Sequence, residues 1–123
     1  MQFRDILLDA LQATHGSIGA IFLDSEGESV EVLTARPFDI GDHDMRVIGA
    51  YAGIFFSQLR RIAEAIDGGA VLRFKFDFAA SRIFCSDLND GYYLVLVVDA
   101  GAVEGTAWQA LERCRTALRG EIS

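Results

Sequence analysis

Asp44–Ile66 reads DMRVIGAYAGIFFSQLRRIAEAI, a run without proline. Ile48, Ala52, Phe55, Leu59, Ile62 and Ile66 step by four and three, the ~3.6-residue period of an amphipathic helix. The first half is apolar beyond that stripe. Val47, Tyr51 and Ile54 fall on the opposite side, and Phe56 lies between. The second half carries Gln58, Arg60, Arg61 and Glu64 as a polar face. One apolar stripe is enough for a helix that covers one face of a small domain, so a second stripe implies a second partner. The stripe through Ile48 and Phe55 is read as the core side, and Val47, Tyr51 and Ile54 as the side left for another molecule. Gly49 and Gly53 adjoin it. Each costs about 1 kcal/mol relative to alanine inside a helix, which implies a packing reason such as the close approach of another backbone. Val47, Gly49, Tyr51, Gly53 and Ile54 are therefore expected at a homodimer interface, where a two-fold axis makes one patch meet itself.

The segments on either side read as a sheet. After the helix, Asp67-Gly68-Gly69 is a helix stop. It precedes a strand and so has the wrong order for a phosphate loop. No GxxxxGK[ST] or GxGxxG motif occurs. Val71 to Phe78 alternates: Leu72, Phe74, Phe76 and Phe78 on one face, Arg73, Lys75 and Asp77 on the other. Three phenylalanines on one strand face need a large cover, and the central helix is the expected one. Ile83 to Leu88 is a shorter strand. Asn89-Asp90-Gly91 favours a type I′ hairpin turn. Tyr92 to Val98 is apolar without alternation, as suits a strand buried on both faces at the sheet centre. Before the helix, Ser17 to Leu23 is a buried strand and Asp24–Gly27 a turn. Glu28 to Ala35 is a half-exposed strand that Pro37 stops. Phe38 to His43 is a loop. Asp39, Asp42, His43 and Asp44 have metal-ligand chemistry, but hard cations need more oxygen ligands than this run offers alone. Asp42 is read as the helix N-cap.

Both ends are helical. Residues 2–14 carry Phe3, Ile6, Leu7, Ala10 and Leu11 at helical spacing, closed by Gly16 as a left-handed cap. His15 then sits at the negative end of the helix dipole, with no nucleophile or second ligand nearby in sequence. A last helix begins between Ala102 and Thr106, with Thr106 and Gln109 matching a capping box, and ends at Gly120. Ala107, Ala110, Leu111, Cys114 and Leu118 form its apolar stripe, and Trp108 lies off it. Nothing marks a linker or an internal repeat, so residues 1–123 are read as one domain.

Composition excludes several function classes. With 51% apolar residues in 123, the chain can build a core. A net charge of −7 argues against a general nucleic-acid binder, which shows a basic face. No stretch approaches the ~20 apolar residues of a membrane span. Asp5 and Asp9 interrupt the first apolar run, unlike a secretory signal. Cys85 and Cys114 are in no metal-ligand spacing and are expected as reduced, structural thiols of a cytoplasmic protein. Lys75 is the sole lysine beside ten arginines.

The order helix, two strands, helix, three strands, helix fits an α+β domain with one antiparallel sheet and helices on both faces. FRDILLDAL, GSIGAIFLDSEGESV, the long central helix and YYLVLVVDAGAVEGTAWQALERC together resemble the roadblock family. That family comprises dynein light chains and the bacterial partners of small gliding-motility GTPases. Gly16 to Gly27 is similar to the family's pattern of glycine, apolar strand, aspartate, two residues, glycine. The resemblance implies a profilin-like α-β-β-α-β-β-β-α fold with sheet order 2-1-5-4-3. It also implies dimers in which central helices pack together and third strands pair edge to edge, which puts Arg73 and Lys75 at the interface.

On the same resemblance the chain is expected to be no enzyme and to need no cofactor or metal. Its partners would be a second copy of itself and a small Ras-like GTPase, with neither nucleic acid nor membrane. Arg60, Arg61 and Arg82 are candidate partner contacts, one of which could serve a GTPase as an arginine finger, although exposed arginines usually only solvate a surface. The alternative is a small-ligand sensor with Phe74, Phe76, Phe78 and Phe84 lining a pocket. A core filled by those rings accounts for the same residues. Neither His15 nor His43 stands in a catalytic motif.

Overall fold

The apolar runs become five strands of one antiparallel sheet, and the periodic segments become three helices that sandwich it. A computed structural model describes residues 3–36, 39–88 and 91–122. The elements are α1 (Phe3–Ala13), β1 (Ser17–Leu23), β2 (Ser29–Thr34), α2 (Asp42–Ala65), β3 (Arg73–Asp77), β4 (Ser81–Asp87), β5 (Tyr93–Asp99) and α3 (Glu104–Ile122). The sheet order is β2-β1-β5-β4-β3, every pair antiparallel. Pro37 and Phe38, and the Asn89-Asp90 part of the expected hairpin turn, lie outside the described residues. So does residue 2 of the expected first helix. Among the described residues no helix is long and apolar enough to cross a membrane, and no three His, Cys, Asp or Glu side chains gather as a metal site.

β5 lies at the centre and is buried on both faces, as its unbroken apolar run requires. Its alternate residues feed two cores. Leu94, Leu96 and Val98 join Phe22, Phe84 and the apolar stripes of α1 and α3. Tyr93, Val95 and Val97 join Ile21, Leu23, Val32, Met45, Ala52 and Phe56 under α2. Cys85 and Cys114 are free and buried on opposite sides of the sheet. Burial pushes the Cys114 thiol up to about 12 and the Cys85 thiol higher still. Gly16 and Gly27 take the positive φ of their turns, +86° and +82°. The Asp24 carboxylate accepts the Glu26 and Glu28 amides within the β1–β2 turn.

Several boundaries differ from expectation, each for a local reason. Gly41, not Asp42, is the N-cap of α2. Asp44 accepts the Gly41 amide at 3.2 Å, so both aspartates lie in the first turn, where the dipole favours them. α3 starts at Glu104, which places Thr106 inside the helix instead of at its cap, and it runs past Gly120 to Ile122. Trp108 is off the stripe yet packs edge-on against Phe84, with ring centroids 4.8 Å apart. β3 is shorter than its alternation, leaving Leu72 and Phe78 exposed outside it.

α2 turns a different side inward from the one its most apolar stripe predicts. The buried residues are Met45, Gly49, Ala52 and Phe56. Of the stripe expected in the core only Ala52 is buried, Ile48 and Leu59 are half-buried, and Phe55, Ile62 and Ile66 are exposed. At ~100° per residue the helix is rotated by roughly 70° from the expected orientation. Small residues explain it. Gly49 and Ala52 let the helix lie close on the sheet, and Gly49 has Leu23 and Ile21 directly beneath it.

Candidate functional site

That rotation leaves an apolar surface open beside α2. α2 packs over β1, β2 and β5 and leaves the same face of β4 and β3 only partly covered. Phe56 meets Phe74 at 4.6 Å and Phe55 meets Phe76 at 4.9 Å, and there the cover stops. Beyond lies an open groove of about 390 Å³. Val47, Ile48, Tyr51 and Phe55 form its helix wall, and Phe76, Phe78 and Ile83 its sheet wall. The lining is almost wholly apolar. Tyr51 is 60% exposed, Ile54 52% and Val47 40%.

The residues expected at an interface divide into two groups. Val47, Tyr51 and Ile54 are on the outer side of α2, as their spacing required. Gly49 and Gly53 are not there for a partner's backbone, because both face the chain's own sheet. Tyr93 fills the space beneath Gly53, its phenol donating to the Gly49 carbonyl at 3.1 Å. Burial raises that phenol to about 12, so it stays protonated and keeps donating. A Cβ on Gly53 would lie 2.4 Å from the Tyr93 hydroxyl, whereas one on Gly105 in α3 meets nothing. Gly53→Ala is accordingly expected to destabilise the fold by about 1–3 kcal/mol through overpacking. Gly105→Ala should instead stabilise it by up to about 1 kcal/mol. Urea unfolding followed by circular dichroism measures both, and a stabilising Gly53→Ala would mean that Tyr93 swings aside without cost.

The edge strand β3 presents Arg73, Lys75 and Asp77 on the face toward α3. Lys75 pairs with Glu104 at 2.6 Å and with Asp77 at 3.2 Å. Arg82 holds Asp77 at 2.7 Å and also reaches Glu104. These contacts push the Asp77 and Glu104 carboxyls down and the Lys75 ammonium up, each stabilising the charged form. Arg73 lies over the Trp108 ring at 4.9 Å.

The three arginines do not converge. Arg82 is engaged on the α3 side of the sheet, its side chain 16% exposed, and is too tied down for an arginine finger. Arg60 reaches Asp87 at 3.4 Å and lies over Phe56, on the α2 side. Arg61 is exposed on α2. The expected sensor pocket does not form either. Phe84 points to the α1/α3 core and Phe74 packs on Phe56, so only Phe76 and Phe78 of the four line the groove. The groove walls Phe55 and Ile83 were missed as surface residues. The surplus of phenylalanines on β3 was the signal that pointed to them.

No protein-family model matches the chain, and no curated protein matches it. Solved structures do. The Roadblock/LC7 domain from Streptomyces avermitilis is 16% identical, with a TM-score of 0.85 over 95% of this chain and 94% of that one. The gliding protein MglB from Thermus thermophilus is 16% identical, with a TM-score of 0.83 over 94% and 84%. MglC from Myxococcus xanthus is 20% identical, with a TM-score of 0.67 over 99% and 100%. At such identities the likeness is one of fold, and the fold of this chain is the roadblock fold.

Proposed function

We propose that the chain is a homodimeric, non-catalytic subunit that binds and modulates a small Ras-like GTPase in the cytoplasm. The observation that carries the reading is the apolar groove beside α2. Its lining is almost wholly apolar, and Tyr51, Val47 and Phe78 stand exposed along it, an arrangement that marks interaction sites when rimmed by polar residues. A second copy seated there would cover Tyr51, Val47 and Phe78. The GTPase part of the reading is supported by the likeness of fold to gliding proteins and by the absence of a phosphate loop in the sequence. A subunit of this kind acts by ordering the partner's own switch loops, which needs no residue donated from this chain.

The test uses small Ras-like GTPases of the same organism, each loaded with GDP or with a non-hydrolysable GTP analogue. One nucleotide state is expected to bind at least tenfold more tightly, about 1.4 kcal/mol, while the chain alone binds neither nucleotide. Equal affinity for both states would remove the modulating role, and a micromolar GTP site on the chain alone would overturn the non-catalytic reading.

A further inference from the structure

The flank of α2 turned away from the apolar groove borders a second cleft, of about 480 Å³. Its place follows from how α2 crosses the strand ends. Arg46 donates from Nε to Ser29 Oγ at 3.2 Å, and Gly49 lies over Leu23 at the end of β1. Gly53 lies over Tyr93 at the start of β5, and Arg60 reaches Asp87 at the end of β4. The β1–β2 turn therefore stands beside the first half of the helix. Ala50, Gly53, Ile54 and Ser57 form the helix wall of the cleft, and residues 25–28 the facing wall. Tyr93 and Phe56 also line it. A Cβ would lie 2.4 Å from the Tyr93 hydroxyl if built on Gly53 and 3.5 Å if built on Gly27, so that hydroxyl sits between the two walls. The turn wall is preformed, because the Asp24 carboxylate accepts the Glu26 and Glu28 amides at 2.9 and 3.1 Å.

Charge is divided along the cleft. Glu26 and Glu28 belong to the turn wall, beside residues 50–54 of α2. Arg60 closes the other end, its guanidinium lying over the Phe56 ring at 5.4 Å from the centroid. Its contact with Asp87, at 3.4 Å, engages one nitrogen of a group with five N–H donors. The Tyr93 phenol gives its proton to Gly49, and its oxygen can still accept one. Acceptors thus gather toward one end and cationic donors at the other.

We infer that this cleft binds a small zwitterion, its ammonium toward Glu26 and Glu28 and its carboxylate on Arg60. Guanidinium and carboxylate form strong charge-assisted pairs. The helix sets the length of the ligand. At ~1.5 Å per residue, Phe56 stands roughly 6 Å along the axis from Ala52, the middle of the 50–54 wall, and roughly 9 Å from Ala50. A single amino acid spans at most ~3.6 Å and falls short, whereas an extended dipeptide spans ~7 Å. The ligand class is therefore a dipeptide with both termini free, and the cleft falls within the ~300–1,000 Å³ usual for small-molecule sites. Among the described residues the cleft shares no lining side chain with the apolar groove, so the site stands apart from the dimer reading.

The probe is alanyl-alanine, titrated into the isotope-labelled native chain and followed by amide chemical shifts. Alanine, the N-acetylated dipeptide and the C-amidated dipeptide are titrated in parallel. Saturating shifts are expected at Gly27, Gly53 and Gly91, with the free dipeptide binding at least tenfold more tightly than the other three. Equal binding of the blocked dipeptides, or no saturating shift with any probe at millimolar concentration, overturns the site. Shifts centred on Val47, Phe76 and Phe78 place the ligand in the groove and overturn it as well.

Two variants test the two ends separately, with circular dichroism checking each fold. Arg60→Gln is expected to abolish the preference for a free carboxylate over the amide. Glu26→Gln combined with Glu28→Gln is expected to abolish the preference for a free amine over the acetylated form. A purely structural role for these residues would weaken every probe alike and leave both preferences in place, which overturns the assignment.

Discussion

Phe56→Ala should lower the unfolding free energy by about 3–5 kcal/mol, the usual cost of deleting a buried ring. Phe56 is fully buried and is one of the contacts through which α2 holds the sheet. Its ring meets Phe74 at 4.6 Å and Tyr93 at 5.3 Å, tying the helix to both the edge strand and the central strand. Removing it leaves a cavity between rigid neighbours that cannot collapse without moving α2. Domains of this size hold only about 5–15 kcal/mol in total, so a large share of the stability goes with it. Phe55→Ala, one residue away, should cost far less, because Phe55 is on the groove wall and 37% exposed. The two variants are compared by denaturant unfolding at concentrations too low for association to contribute. A larger loss from Phe55→Ala would mean that the helix face has been assigned wrongly.

Tyr51→Arg should leave the fold intact and dissociate the dimer, raising its dissociation constant at least a hundredfold, about 2.8 kcal/mol. Tyr51 lines the groove and makes no contribution to either buried core. In a two-fold assembly the substitution acts twice, placing two like charges in one apolar contact, where unpaired charge is costly. The circular dichroism spectrum should not change. A variant that stays dimeric would place the interface elsewhere on the chain.

The strands were legible because their signals are local. The alternation of Leu72 to Phe78, the unbroken Tyr92–Val98 run and the turn glycines Gly16 and Gly27 each report a conformation set by a few neighbours. Sheet order was not readable from those signals. It came with the roadblock resemblance, and the structure has the same order. The inner side of α2 was misread for a physical reason. Periodicity finds the most apolar side of a helix, and here that side, through Phe55, Ile62 and Ile66, is not the most buried one. The buried side is built partly from Gly49 and Ala52, whose value lies in their small size and not in hydrophobicity. The same blind spot turned Gly49 and Gly53 outward, since nothing in sequence places Leu23 beneath Gly49 or Tyr93, forty residues later, beneath Gly53. Phe84 was grouped with the β3 phenylalanines, but its own strand parity sends it to the opposite face. Cap positions were off by one to three residues, because aspartates and threonines suit a first helical turn as well as a cap.

The central claim is that the uncovered side of α2 and the groove beside it are filled by a second copy of this chain. Multi-angle light scattering of the native chain, across a dilution series from tens of micromolar downward, tests it most directly. The expected mass is twice the 13.5 kDa of the single chain, falling toward the single-chain value only on dilution. A mass of 13.5 kDa at tens of micromolar would contradict it.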